Sequence, residues 1–305
     1  MRTDVTFLSS GLKLAGHLYT PDGAAGGPLP AIVVGHPGSG VKEQTAGLYA
    51  RRLSEQGYVT LAFDAAYQGE SEGEPRGLED PGQRVEDLKA AVSFLTTRPE
   101  VDADRIGALG ICASGGYTLT ATAGDHRIKA VGTVSGVDIA RQFRLGPDGT
   151  QDPAVFQGML DAAAGARTTE AATGEVQTFQ LFPDTVEQAR AVGGQHAVDG
   201  FEYYCTGRAE HPRSGKFLPW ASVDRMASFD AFRFVDLIAP RPVLLIVGGA
   251  AVTSWMAVEA FQKAEGPKEL HWIDGASHVD LYDKEPYVTQ AVEKLTEFYG
   301  TRLTK

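Results

Sequence analysis

Apolar residues along this chain fall into two alternating arrangements. The first is a short run with little interruption: "AIVVGH" (31–36), "YVTLAFD" (58–64), "RIGALGI" (105–111), "IKAVGTVSGV" (128–137), "RPVLLIVG" (241–248) and "KELHWIDG" (268–275). Runs of this length, apolar on both faces, are buried strands. The second arrangement is a stripe at helical spacing. Ala46, Tyr49, Ala50 and Leu53 share a face that stops at Gly57; Val85, Leu88, Val92 and Leu95 mark a helix ending before Pro99. Further helices are expected from Ser114 onward, near Trp255 to Phe261, and through Val288, Ala291, Val292 and Leu295 to a stop at Gly300. The opening "DVTFLSSGLKLAGHLYTP" reads as a hairpin turning at Ser9-Ser10-Gly11, followed by the Gly/Pro-rich loop "DGAAGGPLP" (22–30).

Strands alternating with helices, and not themselves alternating in polarity, mean a mostly parallel sheet covered on both faces. The alternation stops from about Asp138 to Met226, where the chain is irregular and rich in Ala, Gly, Asp and Thr, and then resumes. The expected organisation is an α/β core of residues 1–137 and 227–305, with 138–226 inserted as a cap after the sixth or seventh strand.

Composition narrows the function classes. The 305 residues suffice for one large α/β domain with an insertion. Lys and Arg number 28 against 39 Asp and Glu, a net charge of −11, which argues against nucleic-acid and anionic-membrane surfaces. Cys112 and Cys205 are the only cysteines, too few for a disulfide framework. "MRTDVTFLSS" has no apolar signal region, and no run of about 18 apolar residues occurs. A cytoplasmic protein acting on a small-molecule substrate is expected, without nucleic acid, membrane, cofactor or metal; a homodimer is left open.

The chemistry concentrates in "RIGALGICASGG" (105–116), where a strand runs into a helix. Open α/β sheets bind ligands beyond the carboxyl ends of their strands. A nucleophile there sits on a sharp turn that demands small residues two positions before and after it. Both Cys112 and Ser114 satisfy the spacing. Gly110 is a better small residue than Cys, and a strand ending at Ile111 has ordinary length, so Cys112 is favoured. The stretch resembles the α/β-hydrolase superfamily pattern, and most closely the dienelactone-hydrolase-like branch, whose nucleophile is Cys. That resemblance implies an α/β-hydrolase fold and a hydrolase of an ester, thioester or lactone working through an acyl-enzyme. The same site could serve an acyltransferase or a cyclase/isomerase. A helix N-terminus beside Cys112 favours the thiolate.

The partners follow from chain order. His278, in "GASHVDLYD" after the strand "ELHWID", is the expected base, and that loop resembles the family's histidine loop. An oxyanion hole needs two N–H groups. Ala113 supplies one, and "GHPGSG" the other, through Gly38 with Ser39 next, because Pro37 has none. "AYQGESEGEPR" (66–76) resembles a strand-end loop of these hydrolases, placing Tyr67 at the pocket, with Glu70 either there or folding the loop. The acid is the gap. Where the superfamily commonly has G-x-x-D, this chain reads Gly248-Gly249-Ala250-Ala251-Val252-Thr253. Asp138, at the end of the preceding strand, and Asp280, two residues past His278, are the substitutes; a Cys–His dyad without an acid is the remaining option. In the insertion, "FEYYCTGRAEHPRSGKFLPW" (201–220) carries Tyr203, Tyr204, Arg208, His211, Arg213 and Trp220, which either line a substrate site or pack the cap. Tyr204 is the expected substrate contact there. Trp255 is a further expected substrate contact, and with Met256 it is expected to fill the space left by the missing acid.

Overall fold

A computed structural model describes residues 1–23 and 27–303. Within the loop expected over 22–30, Ala24, Ala25 and Gly26 lie outside the described residues. The hairpin forms as expected. β1 (Arg2–Ser9) and β2 (Leu12–Tyr19) pair antiparallel, Ser9 opposite Leu12. Ser10 and Gly11 both take positive φ, 49° and 84°, as a two-residue turn matched to strand twist requires.

The core then alternates: β3 (Leu29–Gly35), α1 (Thr45–Ser54), β4 (Val59–Phe63), α2 (Pro81–Thr96), β5 (Val101–Ile111), α3 (Ala113–Gly124) and β6 (Ile128–Val134). A long inserted stretch follows, comprising α4 (Ile139–Leu145), α5 (Pro153–Thr173), β7 (Thr178–Gln180), α6 (Val186–Cys205), β8 (Phe217–Pro219) and α7 (Ala221–Ala227). After a 3₁₀ turn at Val235–Ile238 come β9 (Val243–Gly248), α8 (Ser254–Lys263), β10 (Lys268–Ile273), the short α9 (Asp280–Asp283) and α10 (Tyr287–Arg302). The eight core strands run β1-β2-β4-β3-β5-β6-β9-β10, with β3 to β6, β9 and β10 parallel. This is the α/β-hydrolase fold. α1 and α10 cover one face, burying Tyr49, Leu53, Leu295 and Tyr299 against Ile32, Val34 and Leu109. α2 and α3 cover the other, with the 3₁₀ turn and α8 beside α3.

Two expectations need correction. The inserted stretch is not irregular: α5 and α6 are long helices. α5 buries Phe156 and Ala163 and half-buries Met159 and Leu160 between them, one short apolar face on an otherwise exposed helix whose Ala content also favours helix. The last helix also runs through Gly300 to Arg302, because Phe298 and Tyr299 remain buried and hold its final turn.

Candidate active site

Between β5 and α3 the chain turns sharply at Cys112, whose φ of 54° and ψ of −120° lie where non-glycine residues rarely sit. Packing enforces the turn. A Cβ on Gly110 would stand 2.1 Å from the Ser114 carbonyl oxygen, and one on Gly115 2.5 Å from the Gly136 Cα. Cys112 therefore occupies the apex. Ser114 lies in the first turn of α3, buried, with its hydroxyl donating to the His36 carbonyl at 2.5 Å. The backbone N–H groups of Ala113 and Gly38 flank the Cys112 sulfur and favour its charged form. The loop bearing Gly38 is clamped from behind: the Arg84 guanidinium donates to the His36 carbonyl at 2.9 Å, and the Ala65 N–H to the His36 ring at 3.1 Å.

His278 is brought to the same place. Its backbone carbonyl accepts from the Ser135 hydroxyl at 2.8 Å. Its Nδ1 lies 2.7 Å from Thr253 Oγ1, and its Nε2 3.0 Å from the Tyr282 hydroxyl. That hydroxyl also neighbours the Cys112 thiol and favours its charged form. Tyr282 thus stands between the sulfur and the imidazole. Neither Thr253 nor Tyr282 was picked out from the sequence. A signal for Tyr282 exists, since it lies four residues past His278 and a single helical turn carries it back beside the ring.

Neither candidate acid reaches the histidine. Asp138 is fully buried and caps α4, accepting from the Ala140 N–H at 2.9 Å, from the Ala231 N–H at 3.0 Å and from Arg141. Asp280 accepts from the Ser277 N–H at 3.0 Å and pairs with Lys284. Both are cap and turn residues. The position facing Nδ1 belongs to Thr253, which is buried, while Val252 is exposed.

Electrostatics leave both reacting groups neutral at rest. Burial pushes the Cys112 thiol up, against the opposing pull of Tyr282, Ala113 and Gly38. Burial, then the neighbouring His196, holds His278 well below the usual histidine range. The expected helix-stabilised thiolate is corrected by this balance, since desolvation outweighs the N-terminal N–H groups.

Cys112, Gly38, Tyr204, His278 and Tyr282 open on one cavity of about 420 Å³. Its walls are mainly apolar, with Phe143, Met159, Phe179, Phe182 and Leu218 from the inserted stretch. Two expected contacts lie elsewhere. Tyr67 folds its own loop, its N–H donating to the Glu72 carbonyl at 2.9 Å and its carbonyl accepting from Gly77 at 2.8 Å. Trp255 donates from Nε1 to the Pro147 carbonyl at 2.9 Å, fastening α8 to the inserted stretch. Glu70 also serves the loop, paired with Lys42 and Arg213. Of the residues singled out in 201–220, only Tyr204 lines the cavity. Tyr203 accepts from the Thr45 N–H at 3.0 Å, Arg208 pairs with Asp283, and Trp220 packs on Phe179.

Comparison with known proteins agrees with this architecture. The model of the dienelactone hydrolase family matches residues 14–177. The chain belongs to that family. This member is 41% identical to Escherichia coli (strain K12) YcjY over 90% of its own length and 89% of the relative's. It is 35% identical to the polyketide transferase claH of Penicillium crustosum, covering 91% and 90%. The crystal structure of Pseudomonas aeruginosa PA2218 superposes with a TM-score of 0.93 at 36% identity, covering 99% of this chain and 94% of that one. The family supports a hydrolase. Among the described residues of this member, no helix is long and apolar enough to cross a membrane.

Proposed function

We propose that this protein hydrolyses a thioester, ester or lactone through an acyl-enzyme on Cys112. The observation that carries the reading is the pair of N–H groups, from Ala113 and Gly38, converging on a sulfur held at the apex of a strained turn. A carbonyl attacked by that sulfur puts its developing oxyanion beside the same donors, which are fixed before the reaction begins.

The proton route runs through Tyr282. With the His278 proton on Nδ1 facing Thr253, Nε2 is an acceptor. The thiol gives its proton to the Tyr282 oxygen as that hydroxyl gives its own to Nε2. The Sγ–C bond forms, the tetrahedral adduct collapses, and the leaving group departs. Residues 138–226 act as a cap over the core formed by 1–137 and 227–305, and supply the apolar wall for the acyl chain, with Tyr204 beside the oxyanion loop. A mainly apolar cavity of this size suits a medium-length acyl group.

Incubation with a short-chain acyl thioester should give an adduct on Cys112 in the intact mass, absent in Cys112→Ala and retained in Ser114→Ala. An adduct mapped to Ser114 would overturn the reading.

One observation favours a second outcome for the same intermediate. Thr253 is a neutral partner for His278, and a neutral acceptor stabilises an imidazolium less than a carboxylate does. Water is then activated poorly, and a bound alcohol, thiol or amine takes the acyl group. The resemblance to a polyketide transferase points the same way. Acyl transfer to an added alcohol outpacing hydrolysis at millimolar acceptor selects this outcome; unchanged acid release selects hydrolysis.

A further inference from the structure

A second imidazole opens onto the cavity and has no part in the route above. His196 lies on α6, two residues beyond a break at Gly193 and Gly194, where the backbone leaves helical geometry (φ −149°, ψ 19°, then φ 59°, ψ −146°). It lines the same cavity as Cys112. Its ring meets that of His278 edge to face, centroids 5.4 Å apart and planes at 84°. The two rings differ in one respect that matters. Both nitrogens of His278 are engaged, by Thr253 and by Tyr282. Among the described residues neither nitrogen of His196 makes a hydrogen bond, and the side chain is only partly covered. Burial favours its neutral form, which is the form that can take a proton.

We propose that His196 is a second catalytic base, which activates the oxygen nucleophile that attacks acyl-Cys112. The proposal rests on the acyl-enzyme reading above and divides its labour. In the first half-reaction the thiol proton passes through Tyr282 to His278, Sγ bonds to the carbonyl carbon, and the leaving thiolate departs with its electron pair and takes that proton back from His278. His278 is then neutral again, with both nitrogens still engaged by Thr253 and Tyr282 and none turned to an incoming nucleophile. In the second half-reaction His196 removes the proton of water or an alcohol as its oxygen bonds to the acyl carbon. The C–Sγ bond breaks and Cys112 leaves with the electron pair. The proton on His196 passes through solvent to the Cys112 thiolate, so that thioester and water yield acid and thiol.

The half-reactions can be timed separately with an acyl-N-acetylcysteamine thioester, by thiol release and by quenched intact mass. In His196→Gln, thiol release in the first turnover is expected within about threefold of wild type. Deacylation should fall by about 10²- to 10³-fold, the range for a positioned base, with acyl-Cys112 accumulating. Added imidazole should restore deacylation in His196→Ala. Equal loss in both half-reactions would mark a structural role and overturn the proposal, as would unchanged deacylation. An acyl-Cys112 that forms and turns over alike in all variants removes His196 alone. No adduct in wild type during steady thiol release removes the acyl-enzyme reading and this role with it.

Discussion

A thiol and an alcohol ask different things of the imidazole beside them. A thiol loses its proton some six orders of magnitude more readily than an alcohol, so it tolerates a weaker base. In this protein the base is weak in two ways: burial disfavours its charged form, and a threonine hydroxyl stands where a carboxylate would steady the imidazolium. The pairing of Cys112 with Thr253 is therefore coherent, and exchanging one without the other should fail. Cys112→Ser is expected to lower kcat by about 10³-fold or more, measured on one thioester with folding checked by circular dichroism. Adding Thr253→Asp to Cys112→Ser supplies a charge-assisted partner for Nδ1 and should recover at least about tenfold. In the Cys112 background, the same Thr253→Asp change should raise the histidine's pKa as seen by NMR. A Cys112→Ser enzyme as active as wild type would show that Thr253 does not limit the base.

The elbow between β5 and α3 was readable because its requirements are local. Small residues at Gly110, Gly115 and Gly116 announce close approach of strand and helix, and the structure puts backbone or side-chain atoms within 3 Å of a Cβ at each. Gly110→Ala is expected to cost about 3 kcal/mol in urea unfolding, since its methyl would overlap the Ser114 carbonyl and the turn cannot shift without moving Cys112. The alternation of strands and helices was readable for the same reason: buried elements advertise themselves in apolar spacing. The inserted helices are different. α5 turns a largely exposed surface to solvent, and its one apolar face, Phe156, Met159, Leu160 and Ala163, is confined to its first half, so most of its length carries no helical stripe. The orienting group for His278 was missed on other grounds. A search for a carboxylate passes over a threonine, and Asp138 looks like a candidate until its oxygens are found occupied by α4, Ala231 and Arg141.

At the scale of the whole molecule, four histidines are held below their ordinary range: His36 by burial and Arg84, His278 by burial and His196, His196 by burial, and His17 by burial and Lys42. They sit on different elements, so their titration reports global unfolding rather than one loop. The sign follows from proton counting. Unfolded, each takes up a proton near pH 6.5; folded, each does so only at lower pH. Between those values the unfolded chain binds more protons, so stability falls as pH falls, and it is fully present only above about pH 7. His36 and His278, the most strongly depressed, should together approach about 2.7 kcal/mol per pH unit below pH 6, from the limit of about 1.4 for one proton. Asp64, Asp87 and Asp138, raised by burial, work in the opposite sense. Urea midpoints are therefore expected to decline from pH 7 to 5.5. In His278→Gln, which keeps a polar side chain but carries no titrating group, the slope should be shallower by about 1.4 kcal/mol per pH unit. A midpoint that rises or stays level on acidification to pH 5.5 would show that these imidazoles take up protons in the folded protein as readily as in the unfolded chain.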